Sequence, residues 1–499
     1  MTLNDLIFLL PELILLLAAT MLFIFDIAGR RPDDPVTLTR QPKPWLPYAA
    51  LIGLAAAALG LLPGLEQTAQ VAMMLAADPF AIFFKALALI GVALVILAAI
   101  PYMRTRTPYR GEFYALLLIA AAAICLAVGA TNFVMLYLAM EFLSITSYIL
   151  AGFFREDRKS GEAAIKYFLY GATASAVMLY GMSLLYGATG TTDFGGVAQA
   201  LGTHSGGDLV WLGGPAIILM LVGFGFKASL VPFHQWAPDT YEGAPTPVTA
   251  FLSTASKATG FAILIRVSLV ALAGLQPLWA SLLAAVAILT MTLGNLTAIR
   301  QTNIKRMLAF SSIAQAGYIL IGIVAAPTGG ASPATPFGGI NGVLIYLLAY
   351  LVTNVGAFAT VIAIENRSGK VAIADYAGLV RRAPWLAATL FIFLLSLAGI
   401  PPTAGFVGKL FVFGAAVRAA MIPLAVIGAL NAVVSAFYYL NVARVMFFVP
   451  AEADAEPVTL EPPLQAAVLL TAALTLLIGL FPGSLIQWAA QSVRLLALR

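Results

Sequence analysis

The feature that leaves this chain the fewest options is a succession of about 14 apolar runs of roughly 20 residues, the length a helix needs to cross a hydrocarbon layer. Such a run satisfies its backbone hydrogen bonds only as a helix, because lipid supplies neither donors nor acceptors. Hydrophobic residues make up 61% of the 499 and charged residues only 10%, too apolar a balance for a surface that meets water on all sides. The expected class is an all-α membrane protein whose spans use most of the chain.

The charges read as topology signals. The net charge of +5 would by itself suit nucleic acid, but the basic residues sit in short loops between apolar runs. These are Arg30, Arg31, Arg40 and Lys43; Arg104, Arg106 and Arg110; Arg155, Arg158 and Lys159; Arg300, Lys305 and Arg306; then Arg367, Lys370, Arg381 and Arg382. With an even number of crossings all of them fall on one face, which the positive-inside rule makes cytoplasmic. The bilayer is then the expected partner, nucleic acid is not, and both termini are expected on the outer face. The first run, 6–27, lacks a basic leader and is too long for a cleavable signal.

Electron transfer and metal chemistry find no ligands in the sequence. Cys125 is the one cysteine, and the two histidines are His204, in a polar Gly-rich loop, and His234. That set can hold neither an iron–sulfur cluster nor a bis-histidine haem. No phosphate-cradling loop, zinc-binding spacing or nucleophile elbow occurs. A pump built on this chain must be driven by another subunit.

Two of the expected spans are interrupted. Helix seven, 214–236, is broken near Pro232 and Pro238, and helix twelve, from 385, is broken around 399–405. Short matches suggest an internal repeat: Tyr148-Ile-Leu-Ala-Gly152 with Tyr318-Ile-Leu-Ile-Gly322, and Gly223-Phe-Gly-Phe-Lys227 with Gly405-Phe-Val-Gly-Lys409. Matched segments lie an odd number of helices apart, so two five-helix units would cross in opposite senses. The expected organisation is helices one to three over 1–111, a first unit over 112–273, an inverted second unit over 274–449, and an acidic loop with helix fourteen over 450–499.

Ionisable residues inside apolar runs need a compensating role, because a lysine at mid-membrane costs about 2.5–3.5 kcal/mol. Glu141 falls near the middle of helix five, either hydrogen-bonded to Ser144 or Thr173 or acting as a protonatable relay. Lys227, before the break in helix seven, is its natural partner, in a fixed ion pair or a switchable one. Lys257 stands in a polar patch with Ser253, Thr254, Ser256 and Thr259, and Lys409 follows the helix-twelve break. His234 is a candidate bridge between Lys227 and Lys257, with a hydrogen bond to a freed carbonyl as the alternative. Arg266 cannot release its proton and reads as a structural or lipid-facing anchor. Lys85 and Lys166 are expected to snorkel to the two surfaces. Asp239 and Glu242, in the inner loop, either form an entrance or solvate it.

These residues resemble the antiporter-like membrane subunits of respiratory complex I over nearly the whole chain. The motifs Val231-Pro-Phe-His-Gln-Trp-Ala-Pro-Asp239 and Gly243-Ala-Pro-Thr-Pro-Val248 carry the likeness, with Gly399-Ile-Pro-Pro-Thr-Ala-Gly-Phe406 before Lys409. The family pattern of a glutamate on helix five, lysines on helices seven and eight and an ionisable residue on helix twelve falls on Glu141, Lys227, Lys257 and Lys409. Lysine at the last site is similar to the branch nearest the quinone site. The resemblance implies a proton-translocating subunit of a bacterial inner-membrane NADH–quinone oxidoreductase, driven by quinone reduction elsewhere. It also implies no cofactor in this chain, with quinone, FMN and iron–sulfur clusters in partner membrane and peripheral subunits. A multisubunit Na+/H+ antiporter shares the plan, and a purely structural scaffold of the membrane arm is the third reading.

Overall fold

The computed structural model describes residues 3–28, 43–203, 208–326, 337–451 and 457–493. Arg30, Arg31, Arg40 and His204 lie outside the described residues. The rest is almost wholly helical, apart from one antiparallel hairpin, β1 (Ala69–Val71) with β2 (Leu75–Ala77), which the sequence pattern does not announce. The main helices are α1 (Leu10–Ile27), α2 (Leu46–Leu59), α3 (Pro79–Arg106), α4 (Arg110–Gly129), α5 (Phe133–Ala151), α6 (Arg158–Thr189) and α7 (Asp208–Ala228). There follow α8 (Thr246–Ala271), α9 (Gln276–Ala298), α10 (Ile304–Ala325), α11 (Gly339–Ser368), α12 (Pro384–Ala398), α13 (Ile422–Phe448) and α14 (Pro462–Leu480). Among the described residues twelve helices are long and apolar enough to cross a membrane. Two shorter apolar helices, Leu212–Ala228 and Pro384–Ala398, stand where the interrupted segments were expected.

Burial separates the helices into a centre and a periphery. The most apolar windows of α8 and α10 are completely buried and that of α11 is 94% buried, whereas those of α1, α2, α13 and α14 are 33% buried. Exposed aliphatic and aromatic residues such as Leu17, Ile52, Val433 and Phe437 line the outer helices, as a lipid-facing surface requires. A polar group on α8, α10 or α11 therefore faces protein.

The first break, 229–235, holds Pro232 and the second, 399–403, holds Pro401 and Pro402. Pro238 sits instead in the first turn of the short helix that follows the first break. Each break is capped. After α7 the chain turns at Ser229, whose φ is +58°, and resumes in the short helix Trp236–Gly243. The amides of Ser229 and Leu230 return to the carbonyls of Phe226 and Gly225, and Trp236 Nε1 also donates to the Phe226 carbonyl at 3.1 Å. After α12 the chain turns at Gly399 and resumes at Ala404–Arg418, where the Gly405 amide donates to Ser396 Oγ at 2.9 Å. These bonds supply the partners that a helix end at membrane depth cannot obtain from lipid.

Helix eight is less regular than its pattern suggests. Instead of one continuous α-helix, α8 contains a π-turn at Leu252–Ser256, immediately before Lys257, and a second at Val267–Ala271. Such turns are frequent at functional sites. Helix fourteen also stops short of the expected 488, at Leu480, and a separate helix covers Gly483–Val493.

Candidate functional site

The four expected charges are brought onto the inner surfaces of the bundle, and their surroundings differ. Glu141 is half-buried on α5, with Ser175 of α6 donating its hydroxyl to the carboxylate. Lys227 is 2% exposed at the C-terminal end of α7. It makes no direct ion pair with Glu141. Its ammonium donates to Ser144 Oγ at 3.4 Å, and Ser144 lies one turn beyond Glu141 on the same helix. The partner hydroxyl of Glu141 is thus Ser175, rather than Ser144 or Thr173.

Close backbone packing brings the second lysine near the first. A Cβ on Gly260 of α8 would lie 3.2 Å from the carbonyl carbon of Lys227 and 3.3 Å from its Cβ, so the two backbones cross closely here. Lys257 lies one turn from Gly260, is 1% exposed, and donates to the Ser312 carbonyl at 2.9 Å and to the Ser312 hydroxyl. The hydroxyls of Tyr241 and Tyr350 approach Ser312, and that of Tyr167 approaches Ser256, without closing a hydrogen bond. With Ser229 they make four buried hydroxyls that have no partner among the described residues, the setting in which proteins hold ordered water.

From Lys257 a line of polar groups runs along α10 to the second break. Ser311, beside Ser312, bonds the Tyr439 hydroxyl at 2.5 Å. Gln315, one turn further, donates to that hydroxyl at 3.2 Å and to the Leu397 carbonyl at 2.8 Å. Lys409 donates to the same Leu397 carbonyl at 2.9 Å and to Ala398 at 2.7 Å, with its ammonium 4.7 Å from the Tyr318 ring centroid. The free carbonyls at the C-terminus of α12 carry the negative end of the helix dipole, which favours a cation. Gly399 makes room for this: its φ is +88°, and a Cβ there would meet Lys409 Cδ at 2.6 Å.

His234 is buried in the first break, at 8% exposure, and its Nδ1 has no partner among the described residues. Its ring is hydrogen-bonded to neither lysine. Arg266 is an anchor within the protein and does not face lipid: it pairs both Nη atoms with Asp78 at 2.8 and 2.9 Å, over the Phe80 ring. Lys85 does not snorkel. It is 5% exposed and its ammonium is 2.6 Å from the carboxylate of Glu12, which is 3% exposed. That partner comes from the first helix, which nothing in the local sequence indicates.

At the basic face, Lys166 pairs with Asp239 at 2.6 Å and with Glu162 at 2.7 Å. Arg306 binds Asp239 at 2.6 Å and Glu242 at 3.1 Å, and Lys159 reaches Glu242 at 3.4 Å. Burial works to raise the Asp239 pKa, but hydrogen bonds from Lys166 and Arg306 outweigh it and hold the carboxyl below the usual carboxylate range. Sequence reasoning also missed Lys305, 4% exposed and donating to the Ala244 carbonyl at 2.8 Å. It missed Glu365 as well, which accepts from Tyr102 at 2.9 Å and from Thr246.

Comparison with known proteins follows this geometry. Residues 130–435 match the family described as NADH:quinone oxidoreductase/Mrp antiporter, TM. NADH-quinone oxidoreductase subunit N of Trichlorobacter lovleyi is 41% identical over 463 residues, covering 92% of this chain and 93% of the relative. The chain belongs to the subunit N branch of this family. Subunit N of Moorella thermoacetica is 44% identical over 453 residues, covering 91% of this chain and 92% of the relative. Among solved structures, a chain of respiratory complex I from Thermus thermophilus with bound aureothin is 34% identical, with a TM-score of 0.79, covering 96% of this chain and 99% of that one. A chain of the Mrp complex from Dietzia is 22% identical with a TM-score of 0.82, covering 100% of this chain and 98% of that one, a likeness of fold alone. Like its subunit N relatives, the chain is a multi-pass membrane subunit of a respiratory complex.

Proposed function

We propose that this chain moves protons across the membrane within a respiratory NADH:quinone oxidoreductase, with Glu141, Lys227, Lys257 and Lys409 as successive stations and quinone reduction elsewhere as the driving event. The observation that carries the reading is the row of buried polar groups between the two lysines: Lys257 on Ser312, then Ser311 beside it and Gln315 both on Tyr439, and finally Gln315 and Lys409 on the shared Leu397 carbonyl. Lysine, unlike arginine, can give up its proton, and the three lysines are joined or approached by hydroxyl, amide and carbonyl groups that order water or pass a proton. Glu141 lies one turn from Ser144, the residue that receives the Lys227 ammonium, so a change of charge on Glu141 alters the electrostatic balance at Lys227. His234 is the remaining candidate carrier at the first break.

The chain is proposed to hold no redox cofactor, with quinone, FMN and iron–sulfur clusters in partner subunits. The short helices Leu212–Ala228 and Pro384–Ala398 with their continuations complete fourteen crossings in this reading, arranged as the units 112–273 and 274–449, with both termini on the outer face of the inner membrane. The deciding experiment replaces Lys257 by methionine in the assembled complex and follows NADH oxidation with proton uptake in sealed vesicles. Loss of both with normal assembly supports the relay. Normal pumping in the assembled variant, or pumping that requires sodium, overturns it.

A further inference from the structure

At the end of the bundle opposite the basic loops lies a cavity of about 530 Å³. Its walls come from the β-hairpin, the link between α4 and α5, the short helix Phe194–Thr203 and the C-terminal end of α8. Two lining groups are more than nine-tenths buried and have no hydrogen-bond partner among the described residues: Oγ1 of Thr131, at 8% exposure, and Nε of Arg266, at 4%. The cavity itself is roomy enough for several waters, and its wall offers them Thr68, Gln70, Asp78, Asp193 and Gln199 as polar partners. Among the described residues Asp78 and Asp193 line the cavity and Arg266 is the one basic lining residue, so this lining carries a net negative charge.

Buried charge continues inward from this floor. Asp78 holds Arg266 and caps α3, and Lys85, seven residues further on, holds Glu12. Two turns beyond Lys85 on the same helix, a Cβ on Gly91 would lie 3.4 Å from Ala255, in the π-turn before Lys257.

We propose that this cavity is an aqueous, cation-attracting port through which the outer solution reaches the buried charges of the first unit. Its purpose rests on the relay reading above, whereas its wetness and sign do not, so the two can fail separately.

The test uses the whole complex in sealed vesicles of both orientations, with Cys125→Ala removing this chain's single native thiol and labelling read on this chain after the subunits are separated. Thr131→Cys places a probe at a buried wall, Ala198→Cys one at a half-exposed wall, and Ala76→Cys a second buried probe should the first disturb assembly. The reagents are the membrane-impermeant cationic trimethylammonioethyl and anionic sulfonatoethyl methanethiosulfonates. The port predicts that the buried-wall thiol reacts from the outer side only and faster with the cationic reagent, a preference that Asp193→Asn reduces by about fivefold. Inert buried-wall thiols beside a reactive half-exposed one would overturn it. So would labelling only in inverted vesicles, or a preference indifferent to Asp193→Asn. Normal pumping by Lys257→Met would overturn the relay and leave the labelling result standing.

Discussion

The two interrupted helices place a lysine against the same kind of structure from opposite sides. Lys227 ends the half-helix that precedes its break, while Lys409 belongs to the half that follows and reaches back over Gly399. The expected equivalence of Gly223–Lys227 with Gly405–Lys409 therefore does not hold position for position. The surroundings differ as well. Lys409 has two carbonyls at 2.9 and 2.7 Å and an aromatic face, but Lys227 has one hydroxyl at 3.4 Å and a carboxylate beyond it. Fixed dipoles hold a cation with little reorganisation, whereas a titratable partner makes the hold depend on charge elsewhere. In the relay proposed above, the first site is the one to be switched and the second the one to receive.

That contrast can be broken most directly by removing the charges. Lys227→Met and Lys409→Met in the assembled complex should each lower coupled proton pumping by about tenfold or more, equivalent to ~1.4 kcal/mol at the limiting step. Lys227→Arg should fail as badly as Lys227→Met, since guanidinium keeps its proton. Normal pumping by the arginine variant would mean a static pair.

Next comes Gly399→Ala, which forces a side chain into φ +88° and against Lys409 Cδ. A cost of about 1–3 kcal/mol is expected, read as reduced assembly or thermal stability, with the matching Ser229→Gly change neutral or mildly favourable. Ser144→Ala removes a single long hydrogen bond and should slow pumping only about twofold to fivefold, in keeping with ~0.5–1 kcal/mol. If it matches Lys227→Met instead, the serine itself carries the proton.

The smallest effect concerns the basic face. The lowered Asp239 pKa means that its contribution to stability is present above the ordinary value of 3.8 and is lost as pH falls through the folded value. Asp239→Asn should therefore narrow the difference in thermal stability between about pH 6 and about pH 3, with little change in pumping near neutral pH. An unchanged difference would show that the Lys166–Asp239–Arg306 cluster does not depend on that carboxylate.

Much of this was legible because proline and charge are conspicuous in apolar sequence. Pro232 and Pro402 mark their breaks, and Lys227, Lys257 and Lys409 stand out because lipid would not tolerate them. The row of polar groups between the last two was less visible, although Ser311, Ser312 and Gln315 are spaced to share a face of α10, a helical periodicity that could have flagged them. Lys85 misled because a lysine near a helix end usually reaches water. Its partner Glu12 is distant in sequence and becomes a neighbour only when α1 packs into the bundle. The outer cavity was hidden for the same reason, being assembled from loops that no local pattern relates.

The π-turn at Leu252–Ser256 has its own consequence for where charge ends up. It holds one more residue than an α-turn of the same rise, so the helix after it is rotated by about 100° relative to an unbroken one. Deleting one residue there would restore ordinary winding and swing the Lys257 ammonium away from Ser312, with every charge still present in the chain. The conduit, on this view, is set by the winding of one helix as much as by its composition.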